Sequence, residues 1–316
     1  MNIHRRTVIK AGLGLGVAML IPDGRTFGQT QPLIQKKIPS SGESIPVIGI
    51  GTARRYEEVK NDAEKAPLRE TIRQFQALGG KVIDSSPSYG TAEAVVGELT
   101  EGLQVRDSLF LATKVSLRNA GRAEGIAQIE QSFKKLRTSK IDLIAVHNLR
   151  DTDTQLRTLR EMKQAGRIRY VGITTSFDNQ YGEFEQVIKK ETLDFIQVDY
   201  ALDNRDAGER IIPLAGERGA AVMINLPFGR GPLFKAVQGK ALPEWASEFD
   251  CRSWPQFFLK YIVSHPAITC AVPGMARPEY VIDNLGAARG RLPDGAMRRK
   301  MEQFIHNVCG GARGLH

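Results

Sequence analysis

Four side chains in this sequence have the types needed for a tuned proton transfer. Asp84 closes the apolar run Lys81-Val-Ile-Asp84. Lys114 closes Leu109-Phe-Leu-Ala-Thr-Lys114, and His147 closes Ile141-Asp-Leu-Ile-Ala-Val-His147. Tyr89 follows the first run, in Ser85-Ser-Pro-Ser-Tyr89-Gly90. A free phenol has a pKa of about 10 and is a poor acid near neutrality. An ammonium about 4 Å away favours the phenolate by up to ~4 kcal/mol at an effective dielectric near 20. That is expected to lower the Tyr89 pKa by about three units at most. A carboxylate beside the Lys keeps it charged and in place. An imidazole can donate a hydrogen bond to a carbonyl or relay its proton. The set suits protonation of an oxygen while a hydride reaches the carbon. Taken singly, each residue also has a structural reading: an inter-strand ion pair, a turn aromatic, a core histidine.

The elements that would bring the four together are legible. Short runs rich in Val and Ile, at 47–52, 82–85, 109–114, 143–147, 170–174, 195–200, 220–226 and 268–273, read as strands. Amphipathic stretches at 66–78, 92–100, 124–136, 154–165, 183–190, 207–218 and 254–264 read as the intervening helices. Two more, at 279–288 and 295–309, follow the last strand. The strands are nearly continuous apolar runs, as parallel strands buried on both faces require. Eight β/α units without a break predict an α/β fold, a single-domain (β/α)8 TIM barrel. A doubly wound sheet would need a glycine-rich fingerprint leading into a helix, and Gly49-Ile-Gly51 leads into none. In the barrel, the C-terminal strand ends converge on one face, and Asp84, Tyr89, Lys114 and His147 fall there. The aperiodic segment 229–250 reads as a long functional loop on the same face. Its start, Phe228-Gly-Arg-Gly-Pro-Leu233, offers amides and one guanidinium to a phosphate.

The 316 residues carry a net charge of +9, but Lys and Arg are spread over many helices near Glu or Asp. Nucleic-acid binding would want a basic stripe with aromatics, so it is not expected. His4-Arg5-Arg6-Thr7-Val8-Ile9-Lys10 precedes the short apolar run 11–21. That run is too short and glycine-rich to be a stable membrane span. It resembles a twin-arginine translocation signal over residues 1–28, with the barrel at 29–316. The expectation is export to the bacterial periplasm by the twin-arginine machinery, cleavage near Gly28, and a short linker. Of three cysteines, Cys270 reads as a buried inert thiol; Cys251 and Cys309 could pair. No Cys/His spacing marks a metal site.

Val82-Ile-Asp84-Ser-Ser-Pro-Ser-Tyr89-Gly90-Thr-Ala-Glu93, Ala112-Thr-Lys114-Val and Asp142-Leu-Ile-Ala-Val-His147-Asn148 resemble three motifs of the aldo-keto reductases. Ile45-Pro-Val-Ile-Gly49-Ile-Gly51-Thr52 resembles their N-terminal hairpin and first strand. Val272-Pro-Gly-Met-Ala-Arg277-Pro-Glu279, with Asp283-Asn284, resembles their adenosine-phosphate segment. The likeness runs from about residue 38 to 290. It implies a (β/α)8 reductase with Tyr89 as general acid, Lys114 and Asp84 tuning it, and His147 orienting the carbonyl. It further implies a nicotinamide cofactor, usually NADP(H), on the C-terminal face, with NAD(H) left open.

The matching cofactor positions are Gly51, Thr52, Thr174, Thr175, Gln197, Asn225 and Leu226. They continue through Phe228, Gly229, Arg230, Gly231, Leu233, Gly274, Met275, Arg277, Glu279, Tyr280, Asp283 and Asn284. Thr174-Thr175 replaces a usual Ser-Asn pair, Asn225 an aromatic that stacks on the nicotinamide, and Tyr280 a usual Arg or Gln. Around the substrate, Ala53 stands for a bulky aromatic and Asn148 for Trp, and Arg118 lies in a polar, basic loop. Such a pocket should take a small polar or anionic aldehyde or ketone. Some relatives regulate membrane channels, so an exported non-catalytic cofactor-binding or regulatory subunit is the second reading. The export signal raises a third, in which cofactor is bound before export and recycled in place.

Overall fold

The computed structural model describes residues 31–118 and 121–309. The twin-arginine segment and the cleavage position near Gly28 lie outside the described residues. Two short strands, β1 (Gln35–Lys37) and β2 (Ser44–Pro46), form an antiparallel hairpin. A parallel eight-stranded sheet follows: β3 (Ile50–Gly51), β4 (Val82–Asp84), β5 (Phe110–Val115), β6 (Ile141–His147), β7 (Ile168–Thr174), β8 (Phe195–Asp199), β9 (Ala221–Asn225) and β10 (Ile268–Ala271). Helices α1 (Asp62–Ala77), α2 (Ala92–Gly102), α3 (Arg122–Lys135), α4 (Thr152–Gln164), α5 (Tyr181–Lys190) and α6 (Ile211–Glu217) alternate with the strands. Helix α7 (Pro232–Ala236) is short, and α8 (Trp254–Val263), α9 (Pro278–Gly286) and α10 (Gly295–Val308) complete the order.

Each strand pairs with its chain neighbour, and the sheet curls until its two ends meet. Ile48 bridges Ala271 and Gly51 bridges Gly274, both in parallel. The amides of Gly49 and Gly51 donate to the carbonyls of Ala271 at 2.9 Å and Pro273 at 2.8 Å. A Cβ on Gly51 would stand 2.5 Å from the Val272 carbonyl oxygen. Only glycine lets the two backbones approach this closely. The result is a closed (β/α)8 barrel, as expected. The strand expected over 47–52 is regular only at Ile50–Gly51, because its flanks are spent on this seam.

Two other boundaries differ for identifiable reasons. Helix α1 starts at Asp62, not 66, because Asn61 caps it: its side chain accepts from the Glu64 amide at 3.0 Å. Glu64 in turn accepts from Asn61 Nδ2 at 3.0 Å, a reciprocal cap that carries the helix through Pro67. The segment 229–250 is not one loop. It contains α7 and a 3₁₀ turn over Glu244–Phe249, anchored by buried Leu233, Val237, Ala246 and Phe249. Anchors spaced so irregularly leave no helical or strand period to read.

Alternation along the strands fills the bore. Val82, Phe110, Ala112, Leu143, Tyr170, Phe195, Ala221, Met223, Cys270 and Val272 form one buried cluster with Ile38 and Ile45. Three of its aromatics pack together: Phe110 to Tyr170 at 5.7 Å, Phe110 to Phe195 at 5.9 Å and Tyr170 to Phe195 at 5.5 Å between ring centroids. Continuing each strand at two-residue steps reaches Asp84, Lys114, His147, Thr174, Gln197 and Asn225. The bore is apolar below and polar at its C-terminal mouth. Cys251 and Cys270 are buried, and all three cysteines are free thiols. Burial pushes the Cys270 thiol pKa up, consistent with an inert side chain. No helix among the described residues is long and apolar enough to cross a membrane.

Candidate active site

Lys114 and Asp84 are both buried, on neighbouring strands β5 and β4. Lys114 Nζ donates to Asp84 Oδ1 at 2.8 Å, to Oδ2 at 2.9 Å and to the Ser85 carbonyl at 2.8 Å. Burial alone would lower the Lys114 pKa, but Asp84 and the Tyr89 phenol overcome it and hold it above the ordinary value. The ammonium therefore stays charged, and it lies 5.2 Å from the Tyr89 ring centroid.

Tyr89 departs from expectation in its net shift. Lys114 does favour the phenolate, but burial raises the phenol pKa by more. The net direction is upward, so Tyr89 holds its proton at neutral pH. Removing water weakens the phenolate's solvation more than one ammonium restores it.

His147 stands edge-on to Tyr89, with ring centroids 6.0 Å apart. Three hydroxyls surround its Nδ1: Ser116 at 3.0 Å, Ser86 at 3.3 Å and Ser88 at 3.5 Å. Ser116 Oγ also accepts from Arg150 Nη1 at 2.9 Å. A hydroxyl that accepts from a guanidinium has its own proton to give, and Nδ1 is there to take it. This assigns the imidazole proton to Nε2. Burial, then the charges of Lys114 and Arg150, push the His147 pKa down to about 3. The site thus holds a neutral imidazole donor beside a protonated phenol. Ser86, Ser88, Ser116 and Arg150 were not singled out from sequence. The hydroxyl-rich Ser85-Ser-Pro-Ser88 was a signal, but nothing linked Arg150 to His147 before the fold did.

Beside the four lie amide and hydroxyl groups from β7, β8 and β9. Thr174 Oγ1 donates to Gln197 Oε1 at 3.0 Å, and Gln197 Nε2 reaches Met223 Sδ at 3.3 Å. Thr175 Oγ1 donates to Gln180 Oε1 at 2.6 Å. Asn225 Nδ2 donates to the Thr175 carbonyl at 3.3 Å, while its buried Oδ1 has no partner among the described residues. An unpaired amide oxygen among other amides and hydroxyls fits a carboxamide such as that of nicotinamide. Thr52 is buried and donates to the Asp84 carbonyl at 3.0 Å. Gly274 meets Gly51 at the seam, and the Met275 carbonyl accepts from Tyr56.

The remaining positions lie on the loops and helices that follow the strands. Leu226 (φ 47°), Gly229 (φ 63°) and Gly231 (φ 129°) turn the chain sharply after β9. Phe228 packs edge-on to Phe234 at 5.1 Å, and Leu233 is buried in α7. The Arg230 guanidinium, expected to be available for phosphate, donates one N–H to the Ser176 carbonyl at 2.6 Å. It ties the loops after β7 and β9 together. Arg277 is exposed at the N-cap of α9, with Glu279 3.8 Å from its guanidinium and Tyr280 exposed beyond. Asp283 accepts from Ser253 at 2.6 Å and Gln256 at 2.9 Å, and Asn284 is buried. Ala53 and Arg118 are exposed, and Asn148 is half-buried in the left-handed region.

The model of the aldo/keto reductase family matches residues 47–302. The chain belongs to the aldo/keto reductase family. It is similar to aldo-keto reductase YhdN of Bacillus subtilis, 30% identical over 67% of this chain and 66% of that protein. It is also similar to methylglyoxal reductase YeaE of Escherichia coli, 29% identical over 79% of this chain and 88% of that protein. Among solved structures it resembles an aldo-keto reductase from Klebsiella pneumoniae in complex with NADPH. There the TM-score is 0.70 at 22% identity, covering 87% of this chain and 95% of that one. The family is one of oxidoreductases, and this aldo-keto reductase has the family's parallel eight-stranded barrel.

Proposed function

We propose that this aldo-keto reductase reduces the carbonyl of a small polar aldehyde or ketone using NADP(H), with Tyr89 as proton donor. The observation that carries the proposal is one assembly at the barrel mouth: a protonated phenol, a buried ammonium–carboxylate pair and a neutral imidazole. Similarity to a methylglyoxal reductase supports the substrate class, and the NADPH of the Klebsiella protein supports the cofactor.

When bound, the cofactor supplies a hydride to the carbonyl carbon. Thr174, Thr175, Gln197 and Asn225 would hold its carboxamide, and the Arg277 end of α9 its adenosine phosphate. The chain's own residues manage the oxygen. His147 Nε2–H donates a hydrogen bond that orients the carbonyl. Tyr89 gives its proton to the oxygen as negative charge develops there. Lys114 stabilises the phenolate left behind, and Asp84 keeps Lys114 in place. Asp84 and Lys114 are buried and Tyr89 and His147 half-buried, which strengthens each of these interactions over its value in water.

Tyr89→Phe tests the assignment. Carbonyl reduction should be lost while NADPH affinity, by fluorescence titration, stays within about twofold. Turnover like the wild type's would remove Tyr89 as the acid. We also propose that the Arg5-Arg6 pair exports the protein folded, to the periplasm, with its cofactor already bound.

A further inference from the structure

We propose that Arg150, with Arg118 beside it, docks an anionic group of the substrate. The preferred substrates would then be small carbonyl compounds bearing a carboxylate or a phosphate. The inference rests on the reductase reading above and adds the charge of the molecule reduced.

Arg150 sits one hydroxyl away from the group that meets the carbonyl. Its Nη1 donates to Ser116 Oγ at 2.9 Å, and Ser116 Oγ lies 3.0 Å from His147 Nδ1. Among the described residues, Ser116 is its one side-chain hydrogen-bond partner, and no carboxylate forms an ion pair with it. A guanidinium carries five N–H donors in a planar fork, so most of the fork is unspent. Burial works against its charge, and the Arg118 guanidinium repels it from the neighbouring loop. Two cations brought together without a carboxylate make a place that an anion neutralises.

The backbone pays for this placement. Asn148 (φ 53°), Leu149 (φ 52°) and Asp151 (φ 52°) all adopt left-handed conformations around Arg150, and none is glycine. Strain of this kind persists where the surrounding structure enforces it, and it concentrates at functional sites. Arg150 N donates to the His147 carbonyl at 3.2 Å, and Asn148 N to the Thr174 carbonyl at 2.7 Å. These bonds hold the turn against β6 and β7. An anion on Arg150 would lie on the Nδ1 side of the imidazole, with the carbonyl at Nε2. Anion and carbonyl would then flank one imidazole ring, which calls for a molecule with the two groups a few bonds apart.

The test compares charged and neutral substrates of similar shape, with NADPH. Succinic semialdehyde is set against butanal, and glyceraldehyde 3-phosphate against glyceraldehyde. In the wild type, kcat/KM for the charged member of at least one pair should be about tenfold higher or more. Arg150→Gln should bring that ratio close to one, and Arg118→Gln, at an exposed position, should lower it. Ratios near one for both pairs in the wild type, or a ratio that survives Arg150→Gln, would overturn the proposal. Calorimetric titration of succinate and of inorganic phosphate into the NADP⁺-loaded protein gives a readout without turnover. Saturable binding weakened about tenfold by either variant supports the anion site, and no saturable binding overturns it. Absence of all carbonyl reduction alongside such binding would defeat the reductase reading and leave the anion site standing.

Discussion

Two titratable residues of the site are tuned in opposite directions by one cause. Burial raises the Tyr89 phenol and lowers the His147 imidazole, because it disfavours an anion in the first and a cation in the second. With a His147 pKa near 3 against an ordinary 6.5, the folded protein does not take up this proton between those values, but the unfolded chain does. The stability linked to His147 is therefore complete above about pH 6.5 and is lost as pH falls toward about 3. For catalysis, kcat/KM for reduction should show no limb near pH 6.5. A limb there that vanishes in His147→Asn would mean the imidazole titrates normally. Arg277 sets a second expectation. A 2′-phosphate on its guanidinium would be favoured by the N-terminus of α9, although Glu279 competes at 3.8 Å. Arg277→Ala should weaken NADP(H) binding about tenfold to a hundredfold and leave NAD(H) nearly unchanged. Titration of both cofactors decides it; equal losses would exclude a phosphate-specific role.

The elements contribute by ending where they do. Strands β4, β5 and β6 place Asp84, Lys114 and His147, the side chains of the proposed mechanism, at the mouth, two residues above an apolar residue. That parity was legible in the sequence, because Phe110-x-Ala112-x-Lys114 and Leu143-x-Ala145-x-His147 alternate as strands must. The seam between β3 and β10 was not legible, since two short bridges replace a full ladder. Its glycines are nonetheless specific. Gly51→Ala would drive a methyl into the Val272 carbonyl and should destabilise the barrel by about 1–3 kcal/mol. Urea denaturation measures this; an unchanged midpoint would mean the seam opens without penalty. Helix α1 and segment 229–250 show why other boundaries were misjudged. The amphipathic period of α1 is clear only from residue 66, past the polar first turn that the Asn61 cap starts, and irregular anchors concealed α7 and the 3₁₀ turn.

At the scale of the molecule the two ends of the barrel do different work. The N-terminal end is closed by the β1–β2 hairpin, where Lys36 Nζ donates to the carbonyls of Val263 at 2.9 Å, His265 at 2.7 Å and Ile268 at 2.7 Å. The C-terminal end holds Asp84, Tyr89, Lys114 and His147, the end at which barrels of this type carry their chemistry. Export bears on the molecule as a unit, because the proposed route moves folded protein with cofactor inside. Replacing Arg5 and Arg6 with Lys should leave full-length protein in the cytoplasm, as read by fractionation and N-terminal sequencing. Unchanged periplasmic accumulation would make the pair incidental.

The amino-acid sequence by itself determined the barrel, its strand rhythm and the residues of the tetrad. Each follows from local pattern: apolar runs, helical periods and short motifs at strand ends. Only the tertiary structure decided the electrostatics. The net rise of the Tyr89 pKa depends on how much water the closed barrel removes, which no spacing along the chain encodes. The chain from Arg150 through Ser116 to His147 joins residues 34 and 31 positions apart. Such contacts exist because adjacent parallel strands bring the starts of their loops together, and long-range proximity of that kind is a property of the closed sheet.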